Sequence, residues 1–536
     1  MPDIRQKIIT IDAQAFFNFC PKKPGEEKER FKLYLGNYSL RRYVVKQEDE
    51  REDCALFYQF CKEIESVWRD KEKQPFKLTN KTLYDKLVIV DFGKIFQPLD
   101  KKNAGAWKIE NQKALLNDSK DLVENGFDMY FEGCENPVHM VAFDKSGSMS
   151  RNSRTSFIDE DFYEGLNTRL NLGMDFSKIS VIESKYYAYR GLYLSSSKRV
   201  IHPKFVINPD TIVIIKDVRT KRDNPEMPVT RYNYDKNIPL ATTEIKVVKD
   251  ADFREVLQCN FQKPQIKAFE YVDIPFDGSG FITPKYASYI NEALNIKGAT
   301  SFQIRLPFMK GMLHEVDVHE FLETYNGKKG EQLYEDAFGI KRDLSKAHIF
   351  ITESMFKGMK WIRHYLDSAS DKAANMDPMV FYCDAMKKYD HALYISGTNL
   401  PYGNSKYTHL SYQMINTLHF MEEQFKRIVE RHCLFIENPI EYLKDCEEMT
   451  VDDDNNIQEE DSDTQENDEE TIVVRQIPNW KRALFKNSAL KSDGYIKSQL
   501  KNVQKGLLTK LATGKLVVEG QNRYLCRDLL PLLASL

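Results

Sequence analysis

Between residues 301 and 306 apolar Phe302, Ile304 and Leu306 alternate with Gln303 and Arg305, the period of two that predicts a half-buried strand. Just upstream, Gly278 and Gly280 flank a serine and mark a tight turn into apolar Phe281 and Ile282. Residues 286–294 between these stretches have the spacing of a short helix. Shorter apolar runs predict strands at 7–11, 31–35, 87–92, 139–143, 179–181, 212–215 and 347–351. Helical periodicity covers 55–68, 157–170 and 414–433, while charged stretches at 46–54 and 216–228 read as surface loops. A last strand pair is expected from 515–518 and 524–526.

A chain of 536 residues, 42% hydrophobic and 12% aromatic, has the makings of several globular domains and is not a disordered protein. The net charge of −3 conceals strong local asymmetry, so it does not exclude a nucleic-acid partner. Residues 452–470 form a low-complexity acidic run, the composition of a solvated linker. Past it the charge inverts. Lys481, Arg482, Lys486, Lys491, Lys497, Lys501, Lys505, Lys510 and Lys515 face only Asp493 before Glu519. Such a helix can track a phosphate backbone or simply present a solvated face. The nine cysteines contain no Cys-x-x-Cys pair, no signal-peptide pattern opens the chain, and no run of about 18 apolar residues occurs. A soluble cytoplasmic protein with no membrane partner is expected.

Three stretches carry candidate chemistry. Asp144-x-Ser146-x-Ser148, after an apolar strand, resembles the metal-ion-dependent adhesion site of von Willebrand factor A domains, where a carboxylate and two hydroxyls ligate magnesium. Asp217 and Thr220 are the candidates for its later ligands, and a Ser/Gly turn leading into basic residues 151–154 explains the same letters. Tyrosines 186, 187, 189 and 193, interleaved with Lys185, Arg190, Lys198 and Arg199, could stack bases, but the packing of a half-buried sheet explains most of them without any ligand. His314, Asp317 and His319 are metal-capable types, but alternation separates His314 from the other two, so no metal site is assigned. The polar side of the 301–306 strand carries Gln303 and Arg305, with Lys310 beyond a bend at Pro307. That face suits phosphate, or is an ordinary solvated one.

Asp277-Gly278-x-Gly280, a helix, Ser301-Phe302-Gln303-Ile304-Arg305 and then Lys310-Gly311 together resemble the first double-psi barrel of eukaryotic-type RNA-dependent RNA polymerases and their single-chain bacterial and phage relatives. Ala142-Phe143 followed by Ser146, Ser148, Arg151, Asn152 and Ser153 is similar to the serine-rich segment before that barrel. Lys185-x-x-Ala188-x-Arg190-Gly191-Leu192 fits the same pre-barrel region, and Thr352 to Gly358 resembles the strand and lysine that follow. The resemblance spans roughly residues 130–365 and implies a pre-barrel region 136–265 and a first double-psi β-barrel 266–365; periodicity and composition add a mixed α/β region 1–135, a helical region 366–448, an acidic linker 449–471 and a basic helical segment 472–536 ending in the strand pair, an α+β multidomain fold in all.

It also implies nucleotidyl transfer from nucleoside triphosphates on a nucleic-acid template, RNA or single-stranded. By resemblance Arg305, Lys310 and Lys357 contact phosphates, with Lys285 a weaker candidate. The second barrel of such enzymes carries Asp-x-Asp-Gly-Asp, which holds Mg2+ for two-metal catalysis. No such motif occurs in these 536 residues, and no catalytic residue is assigned here. The expectation is therefore a first-barrel portion whose carboxylates come from missing sequence or from a second chain. A catalytically inactive, nucleic-acid-binding scaffold and a magnesium-dependent adhesion-type module are the alternatives.

Overall fold

The computed structural model of the chain describes residues 6–13, 16, 31–35, 45–51, 54–72, 86–92, 118–131, 136–144, 154–179, 181–195, 197–228, 243–249, 255–261, 266–274, 276–296, 298–327, 330–368, 375–399, 407–410, 422–446, 479–520 and 529–533. The acidic run 452–470 and the expected strand at 524–526 lie outside them.

Seven strands build a first sheet: β1 (Gln6–Asp12), β2 (Phe31–Leu35), β3 (Val45–Arg51), β4 (Leu87–Asp91), β5 (Phe127–Phe131), β6 (Val138–Ala142) and β7 (Arg154–Asp159). Their order is β2-β5-β6-β7-β4-β1-β3. Every residue of β4 is buried because both faces of the sheet are covered, which is why it reads as a continuous apolar run. Leu87 and Ile89 pack with Leu56, Phe60 and Ile64 of the helix Ala55–Glu72, while Val88 and Val90 meet Phe127 and Phe157 on the other side.

Three expectations change here. Phe157 lies in strand β7, and the helix begins only at Tyr163, because β7 must pair with both β4 and β6. The stretch read as an acidic loop at 46–54 contributes β3, paired antiparallel with β1. The sheet also runs across residue 135, since β6 and β7 complete it.

The second sheet draws on β8 (Lys198–Arg199) and β9 (Ile212–Ile215). Between β9 and the next sheet strand, two antiparallel ribbons form. β10 (Thr220–Pro228) pairs with β13 (Ile266–Asp273), and β11 (Thr243–Lys249) with β12 (Glu255–Phe261). The segment read as a charged loop at 216–228 is thus largely β10. The sheet continues with β14 (Ser279–Ile282), β15 (Ser301–Leu306) and β16 (Met309–Glu315). A small ribbon of β17 (Leu333–Glu335) and β18 (Lys341–Asp343) precedes β19 (Ile349–Thr352) and β20 (Tyr394–Thr398). The order is β8-β20-β15-β16-β14-β19-β9.

The chain leaves β14, crosses through the helix Pro284–Ala293, and returns as the β15–β16 hairpin, whose second strand docks parallel to β14. Pro284 sits in the first helical turn, where its missing N–H leaves nothing unsatisfied. Phe302, Ile304 and Leu313 point into a core with Ile282, Met355 and Tyr382. The buried Tyr382 hydroxyl donates to the Pro307 carbonyl at 2.8 Å and pins the hairpin turn.

Toward the C-terminus the helices Glu422–Glu437, Pro439–Cys446, Asn479–Lys486 and Gly494–Ala512 surround a two-stranded ribbon of β21 (Tyr407–His409) and β22 (Val517–Glu519). The strand expected near 515–518 is therefore present, but its partner comes from the region read as helical, which also gives β20 to the second sheet. Among the described residues no helix is long and apolar enough to cross a membrane.

Candidate functional site

The stretches 277–280, 301–311 and 352–358 meet through their backbones. Gly278 has φ +76°, a conformation an L side chain strains to adopt, and its N–H donates to Ser354 Oγ at 3.1 Å. Its carbonyl accepts the Met312 N–H at 2.9 Å. A Cβ on Gly311 would stand 2.5 Å from that same carbonyl, so this close approach requires glycine. On the other side, the Lys310 N–H donates to the Met355 carbonyl and the Lys357 N–H to the Phe308 carbonyl, bracketing a Met309–Phe356 bridge.

This scaffold sets the cationic side chains. Arg305 and Lys310 are register partners across the β15–β16 hairpin, so both side chains leave the same face. One guanidinium nitrogen of Arg305 donates to the Ile304 carbonyl at 2.8 Å. Its Nε is buried without a partner among the described residues, and burial holds the guanidinium below its ordinary pKa. Arg305 lines a crevice with Tyr189, Tyr193, Pro307, Phe308 and Tyr394, with room for about one water and none for a base. Lys357 Nζ stands 3.6 Å from Asp277 Oδ1. Lys285, by contrast, is exposed beyond the far end of β14 and is not brought to this group.

The sequence model of a family described as RNA dependent RNA polymerase matches residues 36–525. The chain belongs to that family. A DNA-directed RNA polymerase, YonO, from Bacillus phage SPbeta is 23% identical over 539 aligned positions, covering 97% of this chain and 53% of that protein. The chain thus spans about half the length of the curated relative it matches. Among solved structures, the RNA dependent RNA polymerase QDE-1 from Thielavia terrestris matches with a TM-score of 0.36 and 12% identity, over 83% of this chain and 35% of that one.

In this member of the RNA-dependent RNA polymerase family, Asp144 is fully buried. Its Oδ1 accepts both the N–H and the hydroxyl of Ser156, at 2.7 and 2.8 Å. Burial pushes its pKa up to about 6 against those bonds. Ser146 and Ser148 lie outside the described residues. Asp217 follows β9 of the other sheet and accepts from Ser354 Oγ, and Thr220 opens β10. Asp317 caps the helix Val318–Asn326, and His319 Nε2 bonds the Leu344 and Ala347 carbonyls. Among the described residues no group of three or more His, Cys, Asp or Glu side chains could hold a metal ion.

The tyrosine-rich run folds as the helix Glu183–Arg190 and a 3-10 turn, Gly191–Leu194, not as a strand. Tyr186 and Tyr189 pack on Trp361, and the buried Arg190 guanidinium sits 4.1 Å from the Phe143 ring centre, bonded to Tyr163 and Asn167. Packing accounts for these aromatics.

Sequence reasoning missed the junction between the two sheets. There Tyr58 and Arg199 both donate to the Asp390 carboxylate, while Arg169 bonds Gln59 and the Tyr389 carbonyl. Asp390 has φ +55°, which nothing in its sequence neighbourhood announces.

Proposed function

We propose that this chain supplies the triphosphate-binding part of an RNA polymerase centre, with the second sheet and its helical crossover serving as the first of two double-psi barrels. The observation that carries the reading is the like-charged pair Arg305 and Lys310, register partners on one hairpin face, with Lys357 joined to the same hairpin by a backbone bond. Two cations at one register position of a hairpin face favour an anion that lies against both.

A nucleoside triphosphate is such an anion. Arg305 donates in a planar fork that matches phosphate oxygens, and Lys310 and Lys357 act as point charges. As negative charge shifts across the phosphoryl group during transfer, these groups neutralise it without reorganising. Gly278 and Gly311 keep the hairpin seated so that the charges do not drift. In this reading Asp277 holds Lys357 until phosphate replaces it.

Magnesium is expected for nucleotidyl transfer, but the described residues offer no cluster to bind it and the sequence has no Asp-x-Asp-Gly-Asp. In this reading the metal-binding carboxylates would come from sequence outside these 536 residues or from a second chain. The template is a nucleic acid strand, RNA or DNA.

The test is incorporation of labelled nucleotide by this chain combined with a fragment carrying the second barrel. Loss of incorporation on Lys310→Ala supports the reading. Full activity in that variant rules out the assignment of the site.

A further inference from the structure

The helix Gly494–Ala512 is anchored on one side. Ile496 and Leu507 are buried, and Leu500 and Val503 pack into the same cluster as Phe435 of the helix Glu422–Glu437. Gln504 Nε2 donates to the Ile436 carbonyl at 2.8 Å, and the Leu507 carbonyl bonds His432 Nε2 at 2.9 Å. These contacts fix which flank of the helix faces outward.

Lys497, Lys501 and Lys505 lie on that outward flank, all exposed, at successive i, i+4 positions. At 1.5 Å per residue they form a row about 12 Å long. Like charges at this spacing destabilise a helix, and a lysine near the N-terminus also opposes the helix dipole. Asp493 is the sole carboxylate in the sequence from 479 to 518, and it is spent on the helix cap, accepting the Ile496 N–H at 3.0 Å. On the neighbouring helix Glu423 pairs with Arg427, and among the described residues none of the three lysines pairs with a carboxylate. Exposed Lys486 and Lys491 extend the charge on the preceding turns. By contrast Lys510, on the inner flank, bonds His409 and Tyr442 and belongs to the packing.

We infer that this row binds the phosphate backbone of a nucleic acid strand, outside the triphosphate site, as a track for template or product. The inference rests on the polymerase reading for the identity of its partner. The row offers a sequence-independent contact, which gives affinity without base specificity.

The test is fluorescence anisotropy of a labelled oligouridylate with the full chain over a salt series, comparing wild type, a K497Q/K501Q/K505Q variant and the matching triple Lys→Arg variant. Releasing three contacts should lower the slope of log affinity against log salt by about 2, from roughly 0.7 per phosphate on a single strand, and the arginine variant should keep the wild-type slope. An unchanged slope and affinity in the glutamine variant, or no binding by wild type, overturns the inference. So does a loss in the glutamine variant that appears only with acidic lipid vesicles. Triphosphate binding, measured on the same proteins, separates the two claims. Its persistence in the glutamine variant and loss in Lys310→Ala leave the polymerase reading standing whatever the salt series shows.

Discussion

Arg305 and Lys310 face one another across the β15–β16 hairpin, two cations at one register position of a sheet whose backbone is otherwise fully paired there. The hairpin is held from three sides: by Tyr382 at its turn, by Gly278 beside β16 and by the Met309–Phe356 bridge. The backbone positions of the two residues are therefore fixed relative to one another.

In the proposed site Asp277 competes with phosphate for Lys357, which it meets at 3.6 Å. Asp277→Asn removes that competition. Because both side chains reach solvent, the ion pair is screened, and the gain should be about two- to fivefold in affinity for inorganic triphosphate. Calorimetric titration measures it, and a weaker-binding variant would show that Asp277 assists instead of competing.

Gly311 has no room for a side chain beside the Gly278 carbonyl, 2.5 Å from where its Cβ would be. Gly311→Ala must push β14 away from β16, with a loss of about 1–3 kcal/mol in stability, the range of overpacked cores. A urea melt reads this directly. An unaltered midpoint would mean that the two glycine motifs are not in contact.

How far the chain could be read from its letters depended on where the information lay. The β15 strand was legible because one face is buried and the other is not, so Phe302, Ile304 and Leu306 alternate cleanly with polar residues. The three glycine-bearing stretches were legible as motifs, though not their mutual hydrogen bonds. Phe157 was misread because β7 is buried on both faces, which erases the alternation that distinguishes a strand from a helix. The tyrosine run was misread for a different reason. Its helix is stabilised by Arg190 under the rings of Phe143 and Tyr186, a tertiary effect that overrides the β preference of tyrosine. Asp390 was invisible because its role depends on Tyr58 and Arg199, far away in sequence.

That junction makes a pH prediction. Arg169 must donate to Gln59 Oε1, which leaves the Gln59 amide nitrogen to donate to His391 Nδ1, so His391 Nε2 carries the proton and donates to the Arg169 carbonyl. Burial holds this imidazole down to about 4 from 6.5, despite that last bond. Because the folded value lies below the unfolded one, the neutral ring's stability is fully present above pH 6.5 and is lost as pH falls through about 4. Replacing His391 with Asn should lower the proton uptake on unfolding in that window by about one proton. Chemical melts at several pH values measure the slope; an unchanged slope would place His391 in contact with water.

In the proposed function Arg305, Lys310 and Lys357 together hold a nucleoside triphosphate. Isothermal titration of one nucleoside triphosphate into wild type and the three single alanine variants tests it most directly. Each variant should bind at least about tenfold more weakly, the loss expected for one charge-assisted contact, with a normal unfolding transition. Wild-type affinity in all three variants, or no binding by the wild-type chain, would contradict it.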